Sequence, residues 1–159
     1  MLRLLSSDSD SFPRWQALQS VASRALVAAG RRNGDLAALA GKASDLAEAL
    51  GRFLRGQALA DPAFAAQVLR LPAAADIARE IGRDVDPDAI QTAHRALSTA
   101  LGTSLREPLL DLREALDTGG RYSPDAASAG RRALRNEALG LIAISHPDVG
   151  ATLAEQQFA

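Results

Sequence analysis

Residues 86–120 read DPDAIQTAHRALSTALGTSLREPLLDLREALDTGG, and their pattern decides the fold class. Ile90, Ala93, Leu97, Leu101, Leu105, Leu109, Leu112 and Leu116 recur every three or four residues, which gathers them into one stripe of a helix. Asp86 followed by Pro87 is a start signal. The aspartate side chain can accept from the first free amides, and proline's fixed φ and missing N–H suit the first helical position. Pro108 lies inside the run, so a kink or break is predicted near Arg106 and Glu107, because the ring removes one backbone donor and crowds the preceding turn. Gly119-Gly120 closes the stretch.

The same punctuation extends outward in both directions. Upstream, a helix is predicted from Ser11, with Pro13 in its opening turn, through Trp15, Leu18, Val21, Ala22, Ala25 and Leu26 to Gly30. A second starts between Asn33 and Asp35, buries Leu36, Leu39, Leu46, Leu50, Phe53 and Leu54, and ends at Gly56, with Gly41 a point that could divide it. Asp61-Pro62 opens a short helix carrying Phe64, Val68 and Leu69, and Pro72 opens another through Ile77 and Ile81 to Gly82. Downstream, Ser123-Pro124 is read as the cap of a helix through Ala127, Leu134, Ala138, Leu141 and Ile142, ending at His146-Pro147. A last helix follows through Val149, Leu153 and Phe158.

Strict two-residue alternation of β-branched residues is missing, so the chain is all-α. Short connections between paired helices favour stacking into part of an α-superhelix, a right-handed solenoid of armadillo/HEAT type, over a four-helix bundle. The alanine faces Ala37-Ala38-Ala40 and Ala126-Ala127-Ala129 would let helices approach closely. Trp15, with Leu18 and Phe12, is expected to pack into the core at a helix start. The chain of 159 residues forms one domain, 47% hydrophobic and 23% charged, a balance that supports a packed core. The last helix carries no stop signal, which fits a segment of something longer, and Leu4, Leu5 and Phe158 are expected as exposed apolar residues near the ends.

Charge and composition exclude several function classes. A net charge of −1 disfavours nucleic-acid binding, which needs a basic face for phosphates. The arginine cluster Arg131, Arg132 and Arg135, beside Glu137, is read as a solvated face or as ion pairs to a neighbouring helix, with capping or tying of adjacent loops the alternative for Arg135-Asn136. No run approaches the roughly 18 apolar residues that span a bilayer, and no signal-peptide pattern precedes Asp8, so the expected setting is cytoplasmic, without a membrane partner. Cysteine is absent, which removes disulfides and thiolate metal sites.

The chain shows no catalytic motif. His-Glu-x-x-His, the phosphate-cradling glycine loops and the Gly-x-Ser-x-Gly elbow are all missing. His94 and His146 lack a second histidine or a carboxylate at ligand spacing, and are read as structural or exposed. Glu107 with Asp111, and Asp84 with Asp88, are read as solvated groups or caps. No catalytic, substrate-binding or metal-ligating residue is therefore assigned.

Phe12-x-Arg14-Trp15 with Gln19, Asp61-Pro62-Ala63, Leu71-Pro72, Asp86-Pro87, Leu134-Arg135-Asn136 and Gln157-Phe158 occur in this order across nearly the whole chain. In that order and spacing they resemble the start of the C-terminal helical domain of the aminopeptidase N family. The resemblance implies a longer zinc enzyme that removes N-terminal residues from peptides, its ligands and a β-domain lying upstream. Residues 1–159 would be the N-terminal part of its helical domain, a non-catalytic scaffold that helps wall the active-site chamber. The partners it implies are the catalytic and β-domains of the parent chain and, for the parent, peptide substrates. A stand-alone helical-repeat adaptor that binds peptides or proteins is the competing expectation, and a small nucleic-acid-binding protein a third.

Overall fold

Asp35, Asp61, Asp86 and Asp125 each turn a side-chain oxygen onto free amides at the start of a helix, and these four caps set much of the chain's segmentation. The computed structural model describes residues 11–32, 34–119 and 122–158, apart from the side chains of Ser11, Phe12 and Arg14. Leu4, Leu5, Asn33 and Gly120, and the side chains of Phe12 and Arg14 from the family motif, lie outside the described residues. Among those described there are eight helices and no strand: α1 (Ser11–Ala29), α2 (Leu36–Gly56), α3 (Pro62–Leu69), α4 (Ala74–Ile81), α5 (Pro87–Ser104), α6 (Arg106–Ala115), α7 (Ala126–Ser145) and α8 (Pro147–Phe158).

The stripe read from residues 86–120 is the centre of the molecule. Ile90, Ala93, Leu97, Leu101, Leu105, Leu109, Leu112 and Leu116 are all buried. Each fully buried leucine contributes about 1.5–3 kcal/mol relative to an exposed one. α5 packs against α1, α2, α4, α6 and α7, while α7 packs against α3, α5, α6 and α8, so these two helices hold the stack together. The predicted interruption falls at Leu105 (φ −100°, ψ 9°), one residue before Arg106. Pro108 then sits in the first turn of α6, where a missing N–H leaves no helical acceptor unsatisfied.

Several local expectations are corrected. α4 begins at Ala74 rather than at Pro72, because Ala73 stays extended (ψ 148°) and Pro72 is buried in the linker that precedes it. α4 ends as expected, at Gly82 in the left-handed region (φ 78°). The cap of α7 is Asp125, not Ser123. The Asp125 carboxylate accepts from the Ser128 N–H at 2.9 Å, while the Ser123 hydroxyl faces the Asp125 N–H at 3.5 Å. Gly41 does not divide α2. Leu36 is 43% exposed, since it lies in the first turn of α2 beyond the reach of a neighbouring helix. Trp15 is half-buried on α1 while Leu18, one turn on, enters the core.

The alanine faces do not serve the close contacts. Ala37, Ala38, Ala40, Ala126, Ala127 and Ala129 are exposed. Helices approach most closely at glycines instead. A Cβ at Gly102 on α5 would overlap the Leu141 carbonyl oxygen of α7 and meet Ser145 Oγ at 2.5 Å, and one at Gly150 on α8 would lie 2.6 Å from Ala143 Cβ. Ala38 and Ala28 face each other across an open groove of about 440 Å³ between α1 and α2, floored by Val21, Ala25 and Leu39.

Candidate functional site

The residues singled out in sequence gather at two junctions. The first joins α6, α7 and α8. Arg113 on α6 is only 6% exposed, and its Nη1 donates to the Arg135 carbonyl at 3.0 Å and to Gln157 Oε1 at 3.2 Å. Gln157 on α8 in turn donates to Asn136 Oδ1 at 2.9 Å. Arg135, Asn136 and Gln157, which belong to two separate family motifs, thus form one polar knot with Arg113. Arg113 itself stood in no motif. Its place in the α6 stripe, next to Leu112, was the available signal.

Arginines crowd this junction. Burial lowers the Arg113 pKa first, and the nearby Arg135 charge lowers it further, against a smaller opposite pull from Asp117. Arg135 pairs at 3.1 Å with Asp117, which lies just past the end of α6 rather than on a neighbouring helix. Arg131 and Arg132 have no carboxylate partner among the described residues. The Arg131 guanidinium donates to Ser128 Oγ at 2.9 Å. That of Arg132 donates to the Ser123 carbonyl at 2.7 Å and stacks 4.6 Å from the centre of the Tyr122 ring. Together they line a pocket of about 280 Å³ beside Asp117, Gly119 and Leu116. The Asp125 carboxylate nearby already occupies the α7 amides, and hydrogen bonds from Ser123 and Ser128 hold its pKa far below the usual carboxylate range.

The second junction joins α1, α3, α4, α5 and α7. Gln19 on α1 donates to the Arg70 carbonyl at 2.7 Å, and the Arg70 guanidinium reaches Glu137 on α7 at 2.6 Å. Ser23 donates to Glu80 on α4 at 2.8 Å. His94 on α5 lies 3.2 Å from the Pro72 carbonyl through Nε2, so that nitrogen carries the proton. Leu71-Pro72, Gln19 and Glu137 are therefore parts of one latch.

The other candidates stay apart. His146 Nδ1 meets Ser145 Oγ at 2.9 Å, but that hydroxyl donates to the Leu141 carbonyl at 2.8 Å, an arrangement confined to the C-terminal end of α7 that does not activate a nucleophile. Glu107 pairs with Arg106, and both Glu107 and Asp111 are exposed. Asp84 sits in a loop in the left-handed region (φ 50°), whereas Asp88 lies in the first turn of α5. The donor set does not fit zinc: the two histidines are engaged at separate junctions, and no group of three or more His, Asp or Glu comes together among the described residues. No described helix is long and apolar enough to cross a membrane.

Residues 1–159 match the family model described as a domain of unknown function (DUF3458_C), ARM repeats. The chain belongs to this ARM-repeat family. Its all-α stacked architecture is thereby the solenoid type expected from the helix pattern. The family member is 39% identical over 138 residues to an aminopeptidase N of Caulobacter vibrioides, covering 84% of this chain and 15% of that protein. It is 29% identical over 157 residues to an aminopeptidase N of Escherichia coli, covering 98% of this chain and 17% of that protein. The similarity implied by the short motifs is thus shown. The ARM-repeat chain spans about one-sixth of the length of these curated relatives.

Proposed function

We propose that this ARM-repeat chain is the N-terminal part of the C-terminal helical domain of a zinc-dependent aminopeptidase, and that it acts there as a non-catalytic scaffold helping to wall the active-site chamber. The observation that carries the reading is the 39% identity to an aminopeptidase N along 84% of the chain. In such an enzyme a zinc ion would polarise the peptide carbonyl and activate water. That ion would be held outside residues 1–159, and no step is assigned to any residue of this segment. What the segment supplies is rigidity. Arg70 ties α3 to α7 through Glu137 and to α1 through Gln19, while Arg113 ties α6 to α7 and α8. A wall that shapes a chamber needs such cross-helix ties, because its position must hold against the catalytic domain.

The test has two parts. The reading frame around this segment should encode His-Glu-x-x-His upstream and further helical sequence downstream. The full-length product should release N-terminal alanine from a chromogenic amide in a chelator-sensitive manner, while the 159-residue chain alone releases none. Stop codons immediately flanking the segment, or metal-dependent release by the isolated chain, would refute the proposal.

A further inference from the structure

Three arginines of one helix face enter the pocket beside α7, and their donors outnumber the acceptors around them. Arg131 and Arg132 each place a single hydrogen bond on a neutral oxygen, and Arg135 shares Asp117. All three side chains are half-buried, so water reaches them only partly. A guanidinium has five N–H donors in a fixed fork; Arg135 Nε is buried without a partner among the described residues, while the remaining donors of Arg131 and Arg132 reach water and can exchange it for an anion. The Tyr122 ring holds the Arg132 plane, and the Ser128 hydroxyl holds that of Arg131. The forks are therefore oriented before any ligand arrives.

We propose that this pocket is a seat for a carboxylate, taken from a Glu or Asp side chain of another polypeptide segment or from a free small carboxylate. Among the described residues that line it, the charges are three arginines and one aspartate. A planar monoanion fits the forks in bidentate fashion. A phosphate dianion would double both the attraction to the arginines and the repulsion from Asp117, so the choice of a carboxylate rests on its planar match to the forks rather than on charge. The exposed Tyr122 ring offers apolar surface to the methylene stem of a side-chain donor, which favours the polypeptide source. This inference stands on the pocket alone and is independent of the aminopeptidase reading.

The test is a titration of the isotopically labelled 159-residue chain at low salt, following the Nε–H signals of Arg131, Arg132 and Arg135 and the Gly119 amide by NMR. The probes are acetate, the N-acetyl N-methylamide of glutamate, and inorganic phosphate. Saturable shifts at those signals are expected with a Kd on the order of 1 mM for the glutamate probe, weakening as salt is raised. Tighter binding of the glutamate probe than of acetate points to a polypeptide donor, and equal binding to a free carboxylate. Arg131→Gln or Arg132→Gln should each weaken the glutamate probe about three- to tenfold. Arg132→Lys should weaken it too, since charge without the fork is not enough. Unchanged melting temperature would show that the variants keep their fold. Lack of saturation by about 20 mM, a preference for phosphate, or shifts confined to other arginines would overturn the proposal in the unmutated chain itself.

Discussion

Gly102→Ala and Gly41→Ala make the same chemical change in two helices and should move stability in opposite directions. In an exposed helix interior, alanine is favoured over glycine by about 1 kcal/mol, because glycine loses more backbone freedom on folding. At Gly41 a Cβ would meet nothing within 4 Å, so that gain should appear nearly whole. At Gly102 the Cβ would overlap the Leu141 carbonyl oxygen and come within 2.9 Å of Ser145 Cβ. The obstacle is backbone in the neighbouring helix, so relief requires α5 and α7 to separate by something like 1 Å, and a gap of that size forfeits a quarter to a half of each dispersion contact across it. Buried Leu97, Leu101, Leu134, Ala138 and Ile142 lie on these two helices. Overpacking of a filled core costs about 1–3 kcal/mol, and the central position of this pair argues for the upper part of that range, leaving about 2 kcal/mol net after the helix gain. For a domain of this size that corresponds to a melting temperature about 4–8 °C lower. Urea and thermal unfolding followed by circular dichroism would measure both variants. A Gly102→Ala protein as stable as the unsubstituted chain would refute the claim that α5 and α7 meet at this glycine.

Two other predictions concern charged groups. Asp125→Ala should lower the melting temperature at neutral pH. The folded-state pKa of Asp125 is depressed, so its contribution is fully present above the ordinary value of 3.8 and is lost as pH falls toward the folded-state pKa; the two melting curves should therefore converge between pH 4 and pH 2, and a constant gap across that range would contradict the cap. Arg113→Met should be tolerated within about 1.5 kcal/mol, because an apolar side chain of similar length fills the site without a buried charge, whereas Arg113→Ala should lose about 2 kcal/mol or more through the cavity it leaves. Chemical denaturation of both would check this, and equal losses would show that charge rather than packing matters at Arg113.

Element type and order were legible because the signals are local. Asp61-Pro62 and Asp86-Pro87 start helices through their own side chains and rings, and the leucine stripe from Ile90 to Leu116 needs no partner to be recognised. Boundaries drifted where two local signals competed. Pro72 looked like a first-turn proline, yet burial keeps it in the linker, and Ser123 looked like a cap, yet Asp125 is the stronger acceptor two residues on. The alanine faces misled because a small side chain permits close approach without causing it. The stacking placed Gly102, Gly150 and Gly130 at the contacts and left Ala37 and Ala127 in solvent.

The candidate site was less legible than the fold. Arg131, Arg132 and Arg135 announced a basic cluster, but which of them would meet a carboxylate depended on a residue 18 positions away, Asp117. Likewise, Arg113 carried no sign that its charge would be buried against Arg135 and Gln157, the latter 44 positions distant. By itself the sequence determined that this chain is helical, where most helices start and stop, which stripe is central, and which family it resembles, because caps, prolines and hydrophobic period act within a few residues. Only the tertiary structure decided which glycines carry the helix contacts, which arginines remain without a carboxylate, and how separate motifs meet in one knot. Those outcomes depend on the distance and angle between helices, which the packing of the whole core sets at once.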